Sequence, residues 1–248
     1  MQSFLEYVKG KSIEKTKLDK IGDYKIFTVN VTAVRAASQT NDGFSRFATH
    51  AEFPKLIPNN EIWINKEVSK HERQFLIHNG IHQYKAKEAG KRNWHDIAQK
   101  KEKAEREKVD GLKLNPKKFN QEPPDKIYSK YYCGIPSPND DIEVWLVNGE
   151  TVRDLFKTDF IEGGNGEVYK WIPRQEIWIE KTLEDIEINL TILHEYIEST
   201  LMRYKKLTYD KAHVVAAKVD FKHRKNWEIV DVKDLTRETA LEMANQYL

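Results

Sequence analysis

The chain has 248 residues, with 41 Lys and Arg against 39 Asp and Glu, a net charge of +2, and 39% hydrophobic residues that include six Trp. So even a charge balance gives no reason to expect a nucleic-acid or membrane-surface partner. No apolar run approaches the roughly 18 residues of a bilayer span, and the start of the chain lacks a secretory h-region, so a cytoplasmic protein is expected. The single cysteine, Cys133, excludes an internal disulfide and a cysteine-based zinc site, and its expected role is structural rather than nucleophilic.

In chain order, Ile26–Asn30 reads as a short strand ending in a Val-Asn pair, followed by a variable loop. Glu61-Ile-Trp-Ile reads as a second strand, rich in β-formers but only weakly alternating. Ser69 with Glu72 then has the form of a helix start. The helix carries His78-Asn79-Gly80-Ile81-His82, although glycine inside a helix costs about 1 kcal/mol relative to alanine. A second helix carries His95. The stretch Gln99–Lys118 is polar and mixed in charge, with helix expected to about Lys108 and a break at Gly111. Acids interleaved with its bases favour a solvated helix face over a nucleic-acid arm. Pro116, Pro123, Pro124, Pro136 and Pro138 mark an irregular connection.

The same unit then returns. Phe27–Arg35 matches Trp145–Arg153 at an offset of 118, and Ile57–Asn65 matches Ile172–Glu180 at 115. Leu76-Ile-His78 matches Ile192-Leu-His194, and His95-Asp-Ile-Ala98 matches His213-Val-Val-Ala216. Four matches in one order point to a tandem duplication, about 26–108 and 143–226, with domains at 1–122 and 123–248. In the second copy Val144–Val147 and Glu176–Ile179 are the strands, and Thr182 with Asp185 resembles a helix start. Ile186, Leu190, Leu193, Ile197 and Leu201 form one apolar stripe at the helical period. A helix carrying His213 follows, and another at about Leu235–Tyr247 ends the pattern.

Eight histidines occur, and the duplication singles out some of them. His194 and Glu198, four apart, share a helical face, and a turn can bring back His213 as a third ligand. Two imidazoles and a carboxylate leave a position for water, the donor set of catalytic zinc or of a facial-triad ferrous site. Glu195 lies beside that face and suits a general base. In the first copy His78, His82 and His95 hold the aligned positions, a three-His set that also suits zinc, but Asn79 replaces the glutamate and cannot accept a proton. A histidine on an apolar stripe is usually a satisfied core residue; ligand-capable residues at all three aligned positions of both copies favour metal.

His194-Glu195-x-x-Glu198 resembles the H-E-x-x-H helix of the zincin metallopeptidases, with Glu198 where the second histidine belongs. The resemblance spans about 40 residues per copy and implies a ligand role for His194, a base role for Glu195, and a substrate-binding edge strand at Glu176–Ile179. It implies an α+β fold of two tandem zincin-like repeats, each a small β-sheet packed on helices, forming a pseudo-dimer. The ensemble also resembles small phage or bacterial proteins. The expected function is a metal-dependent hydrolase of an amide or peptide-like bond in a small-molecule or peptide substrate, with Zn²⁺ as cofactor. The alternatives are an Fe²⁺ redox enzyme on the same triad and a non-catalytic binding or inhibitory protein with structural metals.

Three further features are weaker. Asp159–Asn165 reads as a hairpin turn or as a loop over the metal. Arg35 and Arg153 recur after equivalent strands and are expected to pair with an acid inside the unit rather than with substrate. Phe221–Trp227 mixes bases with aromatics but is too short to indicate nucleic-acid binding.

Overall fold

The computed structural model describes residues 15–38, 44, 46–110, 128–131, 142–226, 230–231 and 234–248. Cys133, Gly111, the five prolines of the connection and Trp227 lie outside them. Among the described residues, one compact unit comprises 15–110 with 153–161, and the other 128–152 with 162–248. The architecture is α+β.

The first unit contains strands β1 (Thr16–Ile21), β2 (Tyr24–Val29), β3 (Phe47–Thr49) and β4 (Glu61–Asn65), and helices α1 (Val31–Ser38), α2 (Lys70–Glu88) and α3 (Trp94–Asp110). The second repeats the order: β5 (Tyr128–Tyr131), β6 (Glu143–Val147), α4 (Gly149–Leu155), β7 (Gly163–Asn165), β8 (Glu176–Glu180), α5 (Asp185–Tyr204), α6 (Tyr209–Asn226) and a further helix α7 (Arg237–Asn245). By contacts α4 is divided, Arg153 onward belonging with the first unit.

Each sheet has four strands, in the orders β1-β2-β4-β3 and β5-β6-β8-β7, with the middle pair parallel and both outer pairs antiparallel. The parallel registers correspond: Phe27 faces Trp63, and Trp145 faces Trp178.

The recurring sequence pieces have local causes. The Val-Asn element ends each parallel strand and caps the next helix. Asn30 Oδ1 accepts from the Ala33 N–H at 2.9 Å, and Asn148 Oδ1 from the Thr151 N–H at 3.3 Å. What the sequence read as a variable loop therefore begins with a short helix. In Glu-Ile-Trp-Ile, residues two apart share a face of the strand. The Trp63 indole donates to Glu61 at 2.8 Å and that of Trp178 to Glu176 at 2.6 Å. Both faces of β4 are covered, Ile62 and Ile64 by α2 and Trp63 by the α1 side, which explains the weak alternation. After each strand-helix turn an arginine ties the chain back, Arg35 to the Phe44 carbonyl at 2.9 Å and Arg153 to that of Phe160 at 3.0 Å.

Ser69 caps α2 through the Glu72 N–H, as expected; Gly90, with φ of 69°, ends that turn. Thr182 is not the cap of α5, which starts after Glu184 with no side-chain cap. Ile186, Leu190, Leu193, Ile197 and Leu201 are all buried, and Leu193, Ile197 and Leu201 share one core cluster with Val144, Leu146, Ile177 and Ile179. A larger correction concerns Glu176–Ile179. Strand β8 is bonded on both sides, by β6 and β7, so it cannot be an edge strand; the edge beside the helices is β7.

Gly80 has a packing reason. A Cβ there would lie 2.9 Å from Ile62 Cδ1 and 3.2 Å from its Cγ1 and Cγ2, so the glycine lets α2 close on β4. Gly80→Ala is expected to lower the melting temperature, because overpacking at about 1–3 kcal/mol exceeds the gain of about 1 kcal/mol in helix propensity. A higher melting temperature would refute this account.

Candidate metal centre

His194, Glu195 and Glu198 stand on α5, and His213 on α6, which packs antiparallel-fashion beside it after a four-residue turn. Among the described residues, His194, Glu198 and His213 are the group whose ligand atoms all lie within 4.8 Å of one another. Glu198 Oε2 is 2.8 Å from His213 Nδ1 and 3.7 Å from His194 Nε2, and the two imidazole nitrogens are 3.2 Å apart. A tetrahedral ion with ligands at about 2.0–2.1 Å spaces them about 3.3 Å apart, so these atoms are already near the required triangle. The Glu198 side chain is 3% exposed, that of His194 14%, and that of His213 47%, so the group is open to solvent on the His213 side. Tyr209 packs its ring on His213 at 5.3 Å.

The electrostatics suit a cation. Burial opposes ionisation of Glu198, but hydrogen bonds from His194 and His213 hold its carboxyl below the ordinary range. Burial alone would lower the His194 imidazole; the Glu198 hydrogen bond with the Glu195 and Asp220 charges lifts it to about 9. Glu195 is raised, by burial first and by the Glu198 charge second. A cation held by these groups would take the place of the imidazole proton.

A residue that sequence reasoning had not singled out completes the group. Of the expected hairpin turn or loop at Asp159–Asn165, residues 159–162 are irregular, but Gly163-Gly164-Asn165 forms strand β7. A Cβ on Gly163 would meet Thr191 Cγ2 at 2.8 Å, so the glycine allows close approach to α5. Asn165, fully buried, donates from Nδ2 to Glu195 Oε2 at 2.8 Å and to Glu198 Oε1 at 2.9 Å. The signal in the sequence was the Gly-Gly-Asn run, absent from the first copy.

The first unit differs. His78, His82 and His95 form no comparable group. His78 Nδ1 and His82 Nε2 both face Glu105, at 3.0 and 3.3 Å, whereas His95 Nε2 faces Glu52 at 3.9 Å. The cause lies in the helix-helix connection. His95 is the second residue of α3, and His213 the fifth of α6, nearly a turn further in. Asn79 turns to Glu102, donating at 2.6 Å, and accepts from Gln83 at 3.1 Å; Gln83 also donates to Glu52 at 3.2 Å and accepts from Thr49 at 2.8 Å. Thr49, Asn79, His82 and Gln83 align with Asn165, Glu195, Glu198 and Ser199 at one offset of 116. Amides and a hydroxyl thus link this locus into a hydrogen-bonded chain. Burial raises Glu52 to about 7 despite its bonds from Thr49 and Gln83.

A second recurring constellation also escaped the sequence reading. Buried Arg106 pairs with Glu72 and Glu102, both at 2.9 Å; in the second unit buried Arg224 pairs with Glu187 at 2.6 Å and Asp220 at 3.6 Å. Arg46 and Arg153 also pair with Glu72. Arg153 therefore serves an acid rather than a substrate group, but that acid comes from the first repeat and not, as expected, from its own. Arg224 belongs to the Phe221–Trp227 cluster, and its burial in an ion pair accounts for that basic residue structurally.

The chain matches no known family model, and comparison with curated proteins and solved structures gives no significant match. Among the described residues no helix is long and apolar enough to cross a membrane.

Proposed function

We propose that the protein is a metal-dependent hydrolase of an amide or peptide-like bond, zincin-like in each repeat, with its working centre in the second unit. The observation that carries this reading is the triangle of His194 Nε2, His213 Nδ1 and Glu198 Oε2, at 2.8–3.7 Å, with a further, half-buried carboxylate, that of Glu195, on the next residue after His194. A purely structural ion has no use for Glu195. His194, Glu198 and His213 would hold Zn²⁺, or Fe²⁺ on the same donors. When bound, the ion supplies Lewis acidity, which makes water nucleophilic near neutral pH and polarises a carbonyl. Glu195 accepts the proton that the water loses and delivers it to the leaving nitrogen. The exposed His213 side is the entry for substrate, and a bound peptide would lie along β7.

One ion per chain is expected in protein purified without added metal, because one group of three converging ligands is present among the described residues. Elemental analysis gives both identity and number. Iron with oxygen-dependent turnover would favour the redox alternative, and the absence of any ion after metal-replete purification would remove the metal reading. His213→Ala should lose the ion, and chelator should lower the melting temperature, since the ion binds only the folded site.

Metal affinity should depend on pH. His194, lifted to about 9, carries a proton at neutral pH and must release it to ligate. Affinity is therefore expected to rise about tenfold per pH unit toward that value and then level off. A flat affinity profile between about pH 6 and 8 would contradict displacement of this proton.

A further inference from the structure

We infer that Asn165 is a positioning residue for the metal centre: it confines Glu198 to ligation through Oε2 and holds Glu195 beside it. The inference rests on the metal-site reading above and goes beyond it by assigning the Gly163–Gly166 segment a role.

The orientation of the Asn165 amide is decided by its surroundings. Its Oδ1 accepts the backbone N–H groups of Glu167 and Val168 at 3.0 and 3.3 Å. Its Nδ2 therefore faces the carboxylates and spends one hydrogen on each, at 2.8 Å to Glu195 and 2.9 Å to Glu198. A flipped amide would set its oxygen against two carboxylate oxygens and its NH₂ against two N–H donors. All four bonding positions of the side chain are used.

The cradle that holds Asn165 is closely packed. Gly164 packs under the Tyr169 ring, where a Cβ would lie 2.6 Å from Cδ2. A Cβ on Gly166 would lie 2.4 Å from the Pro173 carbonyl oxygen, a backbone atom that cannot move aside cheaply. Backbone N–H groups of Val168 and Tyr169 also return to the Asn165 carbonyl at 3.2 and 3.0 Å. Strand, turn and side chain thus fix one NH₂ group between the two acids.

The consequence for Glu198 is specific. Its Oε1 is occupied by Asn165, and its Oε2 is the oxygen near both histidines. Monodentate ligation leaves coordination positions for water and substrate. The consequence for Glu195 is that its carboxylate stays next to the ligand set without joining it. At the aligned position of the first unit Thr49 bonds to Gln83 instead, and no such bridge between acids exists there.

The test uses the full chain, stripped of metal and titrated with Co²⁺, whose visible absorption reports coordination number. Asn165→Asp is nearly isosteric and retains the Oδ1 that anchors the turn, but replaces the donor with a third carboxylate oxygen. Asn165→Thr takes the residue of the first unit and retains one hydroxyl donor. Both are expected to bind Co²⁺ roughly 10–100-fold more weakly than the wild type, the usual loss when a group bonded to a ligand is removed. Both should also show weaker visible absorption per bound ion, as a released Glu198 ligates through both oxygens. The melting temperature of each metal-free variant separates this from simple unfolding. If Asn165→Thr fails to fold, Asn165→Asp decides alone. Unchanged affinity and spectrum in a folded variant overturn the role of Asn165 while the metal reading stands. A wild type that binds no Co²⁺, or a His213→Ala protein that binds it equally well, overturns both.

Discussion

Glu195→Gln is expected to reduce hydrolysis by about 10²–10⁴-fold, the usual loss of general-base catalysis, while leaving the ion bound. The metal should stay because the converging triangle is formed by His194, Glu198 and His213, with Glu195 outside it. A glutamine oxygen can still accept from Asn165 Nδ2, so packing around β7 should survive. The control lies at the aligned position of the first unit. Asn79 faces Glu102 and Gln83 rather than a converging ligand set, and Asn79→Ala should leave turnover nearly unchanged. The assay begins with a panel of short peptides, amides and esters, with metal content measured on the same samples. Loss of the ion in Glu195→Gln would make Glu195 a ligand. Retention of both ion and full activity would place the chemistry elsewhere.

Glu72→Ala is expected to be the most destabilising single substitution in the first unit. Glu72, 3% exposed, receives Arg46, Arg106 and Arg153, and Arg106 is shared further with Glu102 and Asp154. Removing the acid leaves guanidinium groups buried with too little negative charge, and breaking a buried pair in this way costs about 3–5 kcal/mol. For a unit of this size that corresponds to a melting temperature lower by something on the order of 20 °C. Calorimetry of the variant checks it, and a shift of only a few degrees would mean that water or remaining acids compensate. The network also has a pH signature. Burial works against the Glu72 charge, but Arg153, Arg46 and Arg106 outweigh it and hold the carboxyl far below its ordinary 4.5. A depressed folded value means that this stabilisation is complete above the unfolded value and is lost as pH falls through the folded one. Acid should therefore weaken the first unit.

Much of the site could be read from the residues alone because its parts are local. A spacing of four on a helix dictates that His194 and Glu198 share a face, and the match of His95-Asp-Ile-Ala98 to His213-Val-Val-Ala216 located the third member of the group that could hold an ion in the second unit. Helical periodicity likewise identified Ile186, Leu190, Leu193, Ile197 and Leu201 as buried, because apolar residues at that period share a face, whereas the burial of Ile188, Ile192 and Tyr196 on other faces of α5 followed from packing. The same alignment carried His95 too far. Whether an imidazole on the next helix reaches the first depends on where that helix starts, and α3 begins with Trp94 just ahead of His95, whereas α6 gives His213 nearly a full turn.

Tertiary structure alone decided the remaining points. Strand order is a matter of long-range pairing, so the sequence around Glu176-Ile-Trp-Ile could not disclose that β8 lies inside its sheet and that Gly163–Asn165 forms the edge. Asn165 lies 30 residues from Glu195 and 33 from Glu198, and only the approach of β7 to α5 joins them. Glu72 and Arg153, 81 residues apart, meet for a comparable reason: a buried charge must find its partner wherever packing places one. The sequence by itself determined which side chains could ligate and which faces were apolar, since both follow from residue type and period. Which ligands converge, and what holds them, was set by the approach of elements distant in the chain.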